Sequence, residues 1–309
     1  MTTHPRTIII PGGAGYLGRH LAQFFAQQSY SVVILSRQPQ PDRDDVRYLQ
    51  WDGATPGDWA RSFEAAAAVI NLAGRTVNCR YNARNKRQIY ESRLRSTAAV
   101  GAAIAACDQP PAVWINASSA TIYRDAYDRP MDEATGEIGT GFSVDVCQRW
   151  EQTLFAAHTP QTRKIALRTA IVFGNGSGGA MEPFERIVRL GLGGKMGSGR
   201  QFVSWVHLDD FARSVQWLIE HDELAGPINC AAPHPLPNAA FMRTLRQVCR
   251  QPIGLPATRW MLEIGAFALR TETELLLKSR RVVPGRLLES GFQFRYPELR
   301  PALEQIVNG

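Results

Sequence analysis

A glycine-rich turn between an apolar run and a helix-like segment constrains the fold of this 309-residue chain more than any other feature. The apolar residues 8–10 are followed by Pro-Gly-Gly-Ala-Gly-Tyr-Leu-Gly at residues 11–18. In a strand, turn and helix of this kind, the bare backbone at Gly12, Gly15 and Gly18 lets a pyrophosphate approach the helix N-terminus. The turn therefore predicts a dinucleotide site, with a purely structural glycine turn as the alternative.

The residues that follow the second apolar strand, 31–35, indicate which dinucleotide binds. Ser36 and Arg37 stand where an acidic residue would accept hydrogen bonds from a free ribose 2′-hydroxyl. A serine and an arginine instead suit a 2′-phosphate, which favours NADP(H) over NAD. The alternative is that Arg37 is one more surface arginine.

Two further strand ends are predicted to face the same cofactor. Asp52 follows the third strand and is placed to meet the adenine amino group, although capping of the following turn explains it nearly as well. Leu72, Ala73 and Gly74 follow the fourth strand, where small residues would let the backbone pass close to the cofactor. All of these positions lie just after an apolar strand, so we expect them at one edge of a sheet.

Composition excludes several classes of protein. The chain is 44% hydrophobic, enough for a large core, and has no apolar run of about 20 residues that could span a bilayer. Its five cysteines are scattered without metal-ligand spacing, and no targeting segment is evident, so we expect reduced thiols in a cytoplasmic protein. The net charge of +7 is largely dispersed and accompanies no nucleic-acid module. We therefore expect a small-molecule partner and neither nucleic acid nor membrane.

Alternating strands and helices predict the fold class. Apolar strands at 67–70 and 112–116 flank a helix predicted over 83–106. This alternation indicates an α/β protein with a doubly wound parallel sheet, the Rossmann arrangement, and a smaller, mostly helical C-terminal substrate lobe. The NADP-binding domain is predicted over 1–175, with 202–232 returning to it, and the substrate lobe over 176–201 and 233–309.

Several motifs occur together in the order typical of one enzyme superfamily. They are the glycine turn, Asn-Leu-Ala-Gly at 71–74, Ser-Ser-Ala-Thr-Ile-Tyr at 118–123 and Trp-Val-His-Leu-Asp-Asp at 205–210. Over residues 6–303 the chain resembles the extended short-chain dehydrogenase/reductase superfamily, of the epimerase/dehydratase type. It is most similar to the branch of uncharacterised epimerase family proteins, which carries a C-terminal domain of unknown function. The predicted cofactor contacts also include Tyr16 and Leu17 of the glycine turn, and Arg93, which lies in a further stretch similar to that branch, residues 86–97.

The catalytic positions implied by the resemblance are only partly filled. Enzymes of the superfamily use a serine or threonine, together with a tyrosine and a lysine four residues later that lowers the pKa of the phenol. Ser119 matches the serine, but counting back from Glu151 places Ser143 at the tyrosine position and Cys147 at the lysine position. Cys147 or Tyr123 could supply the proton instead, as could solvent or the substrate.

Polar residues in the second half bear on the substrate and on metals. Val203 stands where sugar-nucleotide epimerases of the superfamily carry a phosphate-binding arginine, which disfavours a sugar nucleotide unless Arg200 compensates. His207, Asp209 and Asp210 could suggest a metal cluster. The resemblance instead makes the two aspartates the start of a helix, so we expect no metal.

Together these positions predict an atypical NADP(H)-binding oxidoreductase that acts on a small carbonyl or hydroxyl compound. An epimerase or dehydratase acting on a sugar-like substrate is one alternative. A non-catalytic, NADP(H)-dependent sensor or interaction protein is the other, because the usual Tyr-x-x-x-Lys pair is missing. A homodimer is left open.

Overall fold

The computed structural model describes residues 6–43, 45–268, 272 and 274–309. The strands are β1 (Thr7–Pro11), β2 (Ser31–Ser36), β3 (Val46–Gln50), β4 (Ala68–Asn71), β5 (Val113–Ser119), β6 (Arg163–Thr169), β7 (Ile171–Phe173), β8 (Phe202–Val203), β9 (Trp205–His207), β10 (Gly226–Cys230) and β11 (Leu236–Pro237). The helices are α1 (Tyr16–Ala26), α2 (Ala83–Ala105), α3 (Phe142–Ala156), α4 (Met181–Arg189), α5 (Leu208–Glu220), α6 (Asn238–Val248), α7 (Arg259–Ala268), α8 (Glu274–Leu277), α9 (Gly285–Glu289) and α10 (Leu299–Asn308). Within the described ranges, no helix has both the length and the apolar character needed to cross a membrane.

Seven strands form the central sheet, in the order β10-β6-β5-β4-β1-β2-β3. Every neighbouring pair in this sheet is parallel. The strand order reverses beside β1, because the chain first builds outward to β3 and then continues on the other side with β4. At such a switch point the carboxyl ends of the strands leave a crevice where ligands bind. The predicted α/β fold with a Rossmann-type parallel sheet is confirmed.

Alternate side chains of the central strands belong to two separate cores. In β1, Ile8 and Ile10 pack against residues of α1 and α5 on one face of the sheet. Ile9 packs against residues of α2 on the other face. Because successive side chains of a strand point to opposite faces, an unbroken apolar run indicates a strand that is covered on both sides.

The chain leaves the central sheet to build two small ones. β7 pairs with β9, and β8 pairs with β11. Between β8 and β9, the Ser204 hydroxyl donates to the carbonyl oxygen of Arg280 at 2.7 Å and accepts from the amide of Val282 at 2.8 Å. Within 202–232, β10 thus joins the central sheet while β8 and β9 lie outside it. The domain boundaries themselves stay a prediction.

A buried carboxylate fastens the last part of the chain to α5. Asp210 is fully buried, and its two oxygens accept hydrogen bonds from the backbone amides of Arg295 and Tyr296 at 2.7 and 2.8 Å. The Arg213 guanidinium pairs with the same carboxylate at 2.8 Å. The C-terminal segment is therefore tied to the helix that follows β9.

Backbone contacts explain two of the three glycines that the sequence predicts to face the pyrophosphate. Gly12 has a φ of +76°, and a Cβ there would lie 2.6 Å from the Cα of Ala73. A Cβ on Gly18 would lie 2.3 Å from the Cα of Gly13, so α1 packs directly on the turn. Gly15 differs, because the nearest heavy atom to its Cβ position is 3.8 Å away.

Replacing Gly18 by alanine is expected to destabilise the fold by about 1–3 kcal/mol, because the added methyl group would meet backbone that cannot turn aside. Gly15→Ala is the matched control, with an expected loss of at most about 1 kcal/mol at this helix cap. Urea unfolding of both variants and the wild type gives the comparison. Equal stability of the two variants would contradict the packing role of Gly18.

Candidate active site

Two cavities open at the carboxyl edge of the central sheet. The large cleft has a volume of about 580 Å³ and lies between the glycine turn, the ends of β2 and β4, and α2. The small pocket, of about 130 Å³, lies at the end of β5. It is also lined by β8 and by two cationic side chains, Lys278 and Arg280. Only the large cleft falls within the usual range for small-molecule and cofactor sites, about 300–1,000 Å³.

The N-terminus of α1 faces the large cleft. Gly12 and Gly15 line this cleft. Gly15 caps the helix, no side chain bonds to the first turn, and that turn contains no acidic residue. The space beside Gly15, the exposed helix end and its dipole together fit a pyrophosphate.

Tyr16, Leu17 and Gly18 are the first three residues of α1 and lie behind the cleft-lining residues Gly12 and Gly15. The Tyr16 hydroxyl donates to the carbonyl oxygen of Asn175 at 2.9 Å, and burial raises the pKa of its phenol. Leu17 packs against the core beside the sheet. None of these three residues is among those that line the large cleft in the described part of the chain. Cofactor contacts through their backbone amides stay a prediction.

The end of β2 supplies a cation to the large cleft. The buried Ser36 hydroxyl accepts a hydrogen bond from the amide of Gln38 at 3.2 Å, which shapes the turn after the strand. Arg37 follows, is exposed and lines the cleft. Among the described residues, its guanidinium has no hydrogen-bond or ion-pair partner. This cation is therefore available to an anionic group in the cleft.

Asp52 lines the same cleft, but its carboxylate already has partners. Its Oδ1 accepts from the amides of Ala54 and Thr55, each at 2.8 Å, and its Oδ2 accepts from the Thr55 hydroxyl at 2.6 Å. The Thr55 hydroxyl and these amides lower the pKa of Asp52 to about 2. The capping alternative is therefore the arrangement observed, and the adenine contact stays a prediction.

Leu72, Ala73 and Gly74 form the opposite wall of the large cleft. Behind them the side chain of Asn71 is fully buried. Its Nδ2 donates to Oδ1 of Asn116 at 2.7 Å, and its Oδ1 accepts from the amide of Ala73 at 3.1 Å. A buried side-chain amide thus fixes the course of the loop at the end of β4.

Arg93 supports the residues that line the large cleft. Its Nη1 donates to the carbonyl oxygens of Arg75 and Ile89 at 3.0 and 3.3 Å, and its guanidinium lies 4.9 Å from the ring centre of Trp150. Burial lowers the pKa of Arg93. Arg75 lines the cleft, whereas Arg93 is not among its lining residues in the described part of the chain. The predicted direct cofactor contact of Arg93 therefore has no support in this geometry.

Of the three predicted catalytic residues, Ser119 lines the small pocket. Its hydroxyl donates to Oγ1 of Thr121 at 3.0 Å and accepts from the amide of Thr121 at 3.2 Å, because Ser119 caps the 3₁₀ turn Ala120–Ile122. Both hydroxyls line the pocket, opposite apolar side chains that include Phe184 and Phe202.

Tyr123 points into the protein interior. It is 1% exposed, its hydroxyl donates to Oδ1 of Asn229 at 3.0 Å, and it accepts from Nη1 of Arg168 at 2.9 Å. Arg168 in turn pairs with Glu151 at 2.8 Å, and Glu151 also accepts from the Ser118 hydroxyl. The 3₁₀ turn before Tyr123 directs the ring into this network. The expectation of a catalytic proton from Tyr123 does not fit this position.

The two residues at the expected tyrosine and lysine positions are both engaged elsewhere. The Ser143 hydroxyl donates to Oε2 of Glu274 at 2.9 Å. Cys147 is 4% exposed, and burial raises the pKa of its thiol to about 12. A sealed thiol with this pKa stays protonated near neutral pH, so the structure gives no support to Cys147 as the proton donor.

The small pocket contains two cations that the sequence interpretation missed, Lys278 and Arg280. The amide of Arg280 donates to the carbonyl oxygen of Phe202 at 2.9 Å, which brings the C-terminal segment alongside β8. The one signal in the sequence was the basic stretch Lys-Ser-Arg-Arg at 278–281, a pattern that solvated surfaces also show.

The residues considered for a metal have structural roles. His207 caps α5, since its Nδ1 accepts from the amide of Asp209 at 3.1 Å, and its Nε2 lies 2.9 Å from Oε1 of Gln305. Helix α5 begins at Leu208, so Asp209 and Asp210 belong to its first turn. Over the described ranges, no group of three His, Cys, Asp or Glu side chains is arranged to hold a metal ion.

Comparison with known protein families decides the classification. The model of the NAD dependent epimerase/dehydratase family matches residues 8–231. The chain belongs to this family. A second model, for a domain of unknown function called DUF1731, matches residues 257–306 of this epimerase-family chain.

Individual relatives agree with this classification. The epimerase-family chain is 31% identical to human epimerase family protein SDR39U1, over 97% of this chain and 99% of the relative. It is 29% identical to YfhF of Bacillus subtilis, over 97% of each chain. The crystal structure of human SDR39U1 with NADPH has a TM-score of 0.87 and 29% identity, over 98% of this chain and 99% of that one. The family resemblance is confirmed, and the predicted cofactor, NADP(H), matches the ligand of that crystal structure.

Tyr123→Phe is expected to lower the free energy of unfolding by about 1–3 kcal/mol, because Asn229 and Arg168 would lose a buried partner. NADPH affinity should not change. Tyr127→Phe is the control. Tyr127 is 45% exposed, so removal of its hydroxyl should change the free energy of unfolding little. Urea unfolding and calorimetric titration with NADPH measure the two effects. A variant with normal stability and lost NADPH affinity would contradict the structural role of Tyr123.

Cys147 is expected to resist iodoacetamide in the folded protein at pH 8, because its raised pKa leaves almost no thiolate and burial blocks access. The partly exposed Cys79 is the internal control and should be alkylated. Both should react once the protein is unfolded in urea. Peptide mapping by mass spectrometry follows each thiol, and rapid alkylation of Cys147 in the folded protein would contradict its sealed position.

Proposed function

We propose that this chain is an NADP(H)-dependent oxidoreductase that acts on a small carbonyl or hydroxyl compound. The observation that carries the proposal is the juxtaposition of two cavities at one edge of the sheet. The large cleft presents a helix N-terminus and Arg37, whose guanidinium has no partner among the described residues, and the small pocket presents Ser119. The NADPH in the human relative's crystal structure supports the choice of cofactor.

The large cleft would hold the cofactor through three of its walls. Gly12 and Gly15 would face the pyrophosphate, where the α1 dipole favours negative charge. Arg37 would bind the 2′-phosphate, because a guanidinium offers a planar pair of donors to phosphate oxygens. Leu72 and Gly74 would contact the middle of the cofactor, on a loop that a buried asparagine holds in place.

The small pocket would hold the reacting group. When bound, the nicotinamide supplies a hydride to the substrate carbon or accepts one from it. In the reductive direction, the Ser119 hydroxyl would turn its single hydrogen from Oγ1 of Thr121 to the carbonyl oxygen, while it still accepts from the Thr121 amide. That oxygen takes up one proton as the alcohol forms. Because Tyr123 and Cys147 lie outside the pocket, we assign this proton to water that enters the pocket.

A sugar-nucleotide reaction fits this site less well. Val203 lines the small pocket, and a valine side chain cannot bind phosphate oxygens. The pocket volume of about 130 Å³ is also well below that of sites for drug-sized ligands.

A non-catalytic NADP(H) sensor is the second candidate, and one observation favours it. Ser143 and Cys147 occupy the positions of the superfamily's tyrosine and lysine, and neither offers a proton to the pocket. Turnover of a carbonyl compound separates the two candidates, because a sensor binds the cofactor without oxidising it.

Arg37→Gln is expected to weaken NADPH binding about 10- to 100-fold, the loss of a charged hydrogen bond of about 1.5–3 kcal/mol, and to leave NADH binding unchanged. Arg61→Gln is the control, because that exposed arginine pairs with Asp58 away from the cleft. Calorimetric titration measures the affinities, and nicotinamide absorbance follows turnover of a panel of carbonyl compounds.

Selective loss of NADPH affinity together with turnover supports the oxidoreductase. Selective loss without any turnover favours the sensor. Failure of the wild type to bind either nucleotide would overturn the proposed function.

A further inference from the structure

The small pocket contains a guanidinium whose hydrogen-bonding capacity is not met. The side chain of Arg280 is 13% exposed, and its buried Nη1 has no hydrogen-bond partner among the residues that the structure describes. The carboxylate of Glu274 lies 3.9 Å from Nη2, beyond hydrogen-bond distance. Buried polar groups are nearly always bonded, and a buried charge without a close partner is costly.

The two carboxylates near this guanidinium form their direct hydrogen bonds with other groups. Glu274 accepts from Nζ of Lys278 at 2.7 Å and from the Ser143 hydroxyl at 2.9 Å. Asp125 accepts from the backbone amide of Ser279. Of the two cations that line the pocket, Lys278 is therefore neutralised by Glu274. Within the described part of the chain, Arg280 keeps only the longer, 3.9 Å pairing with that carboxylate.

The backbone holds Arg280 in place on both sides. Its amide donates to the carbonyl oxygen of Phe202 at 2.9 Å, and its own carbonyl oxygen accepts from the Ser204 hydroxyl at 2.7 Å. The pocket that it lines is also lined by the apolar side chains of Ile171 and Phe184. A cation fixed among apolar groups binds an anion more strongly than one in water, because the local dielectric constant is lower.

We propose that the small pocket takes a substrate that carries a carboxylate, and that Arg280 binds this carboxylate while Ser119 faces the reacting carbon–oxygen group. The inference rests on the proposed function, since it makes the carbonyl or hydroxyl substrate a short oxo acid or hydroxy acid. A guanidinium whose Nη1 has no hydrogen-bond partner among the described residues suits a small anion, and its planar fork matches a carboxylate. The volume of about 130 Å³ limits the acid to a short one.

The test compares an acid with its neutral counterpart. The full-length protein, with and without NADPH, is titrated calorimetrically with 2-oxobutanoate, butan-2-one and inorganic phosphate. We expect 2-oxobutanoate to bind at least about 10-fold more tightly than butan-2-one, as the loss of a charged hydrogen bond implies. Arg280→Gln should remove this preference, and Arg280→Lys should restore part of it. Arg61→Gln, at an exposed arginine outside the pocket, is the matched control and should change nothing.

Several outcomes would overturn the inference. These are equal binding of the acid and the ketone, no binding of the acid, an unchanged preference in Arg280→Gln, or tighter, Arg280-dependent binding of phosphate. Urea unfolding and NADPH titration of each variant confirm that it is folded, and Arg280→Lys provides the comparison if Arg280→Gln does not fold. Failure of the proposed function would give a different result. Either NADPH does not bind, or the acid binds in an Arg280-dependent way and is never reduced.

Discussion

The close approach of two backbone segments, at Gly12 and Ala73, determines the geometry of the cofactor edge. They end β1 and β4, the neighbouring strands at which the strand order reverses. No side chain separates them, since a Cβ on Gly12 would lie 2.6 Å from the Cα of Ala73. The buried Asn71 amide then holds the second segment in this position. This contact shapes the base of the large cleft, and the N-terminus of α1 and Arg37 lie around it.

The features that could be predicted from the sequence are those fixed by local structure. The glycine turn joins a strand directly to a helix, so Gly12 and Gly15 are placed by residues close to them in the chain. Arg37 follows from the same logic, because the end of a neighbouring parallel strand must reach the same edge. Asp52 shows the limit of this reasoning. A carboxylate at a strand end can bind a ligand or cap the next turn, and the pattern of residues is the same for both.

Side-chain direction and long-range contacts were beyond such reasoning. Tyr123 follows Ser119 by one short 3₁₀ turn, and that turn decides whether the ring faces the pocket or the buried Arg168. Arg280 reaches the pocket because the chain returns to β8 after a long excursion; Ser279 and Phe202, which are hydrogen-bonded there, are 77 positions apart. Nothing in the local sequence of 278–281 indicates which strand it will meet. The cation of this pocket therefore comes from the C-terminal segment, while β8 itself carries Val203.

The two cavities are built from different parts of the chain, which has a consequence for the synthesis of the protein and for its evolution. The residues lining the large cleft all occur in the first 96 positions, whereas the cations of the small pocket come from positions 278 and 280. On the ribosome, every part of the cofactor cleft emerges well before the pocket can be completed. During evolution, substitutions in the tail can alter what the pocket accepts while the cofactor half stays untouched. Under the proposed function, the residues that would select the cofactor and the cations that would bind the substrate lie at opposite ends of the chain, and the two can diverge separately.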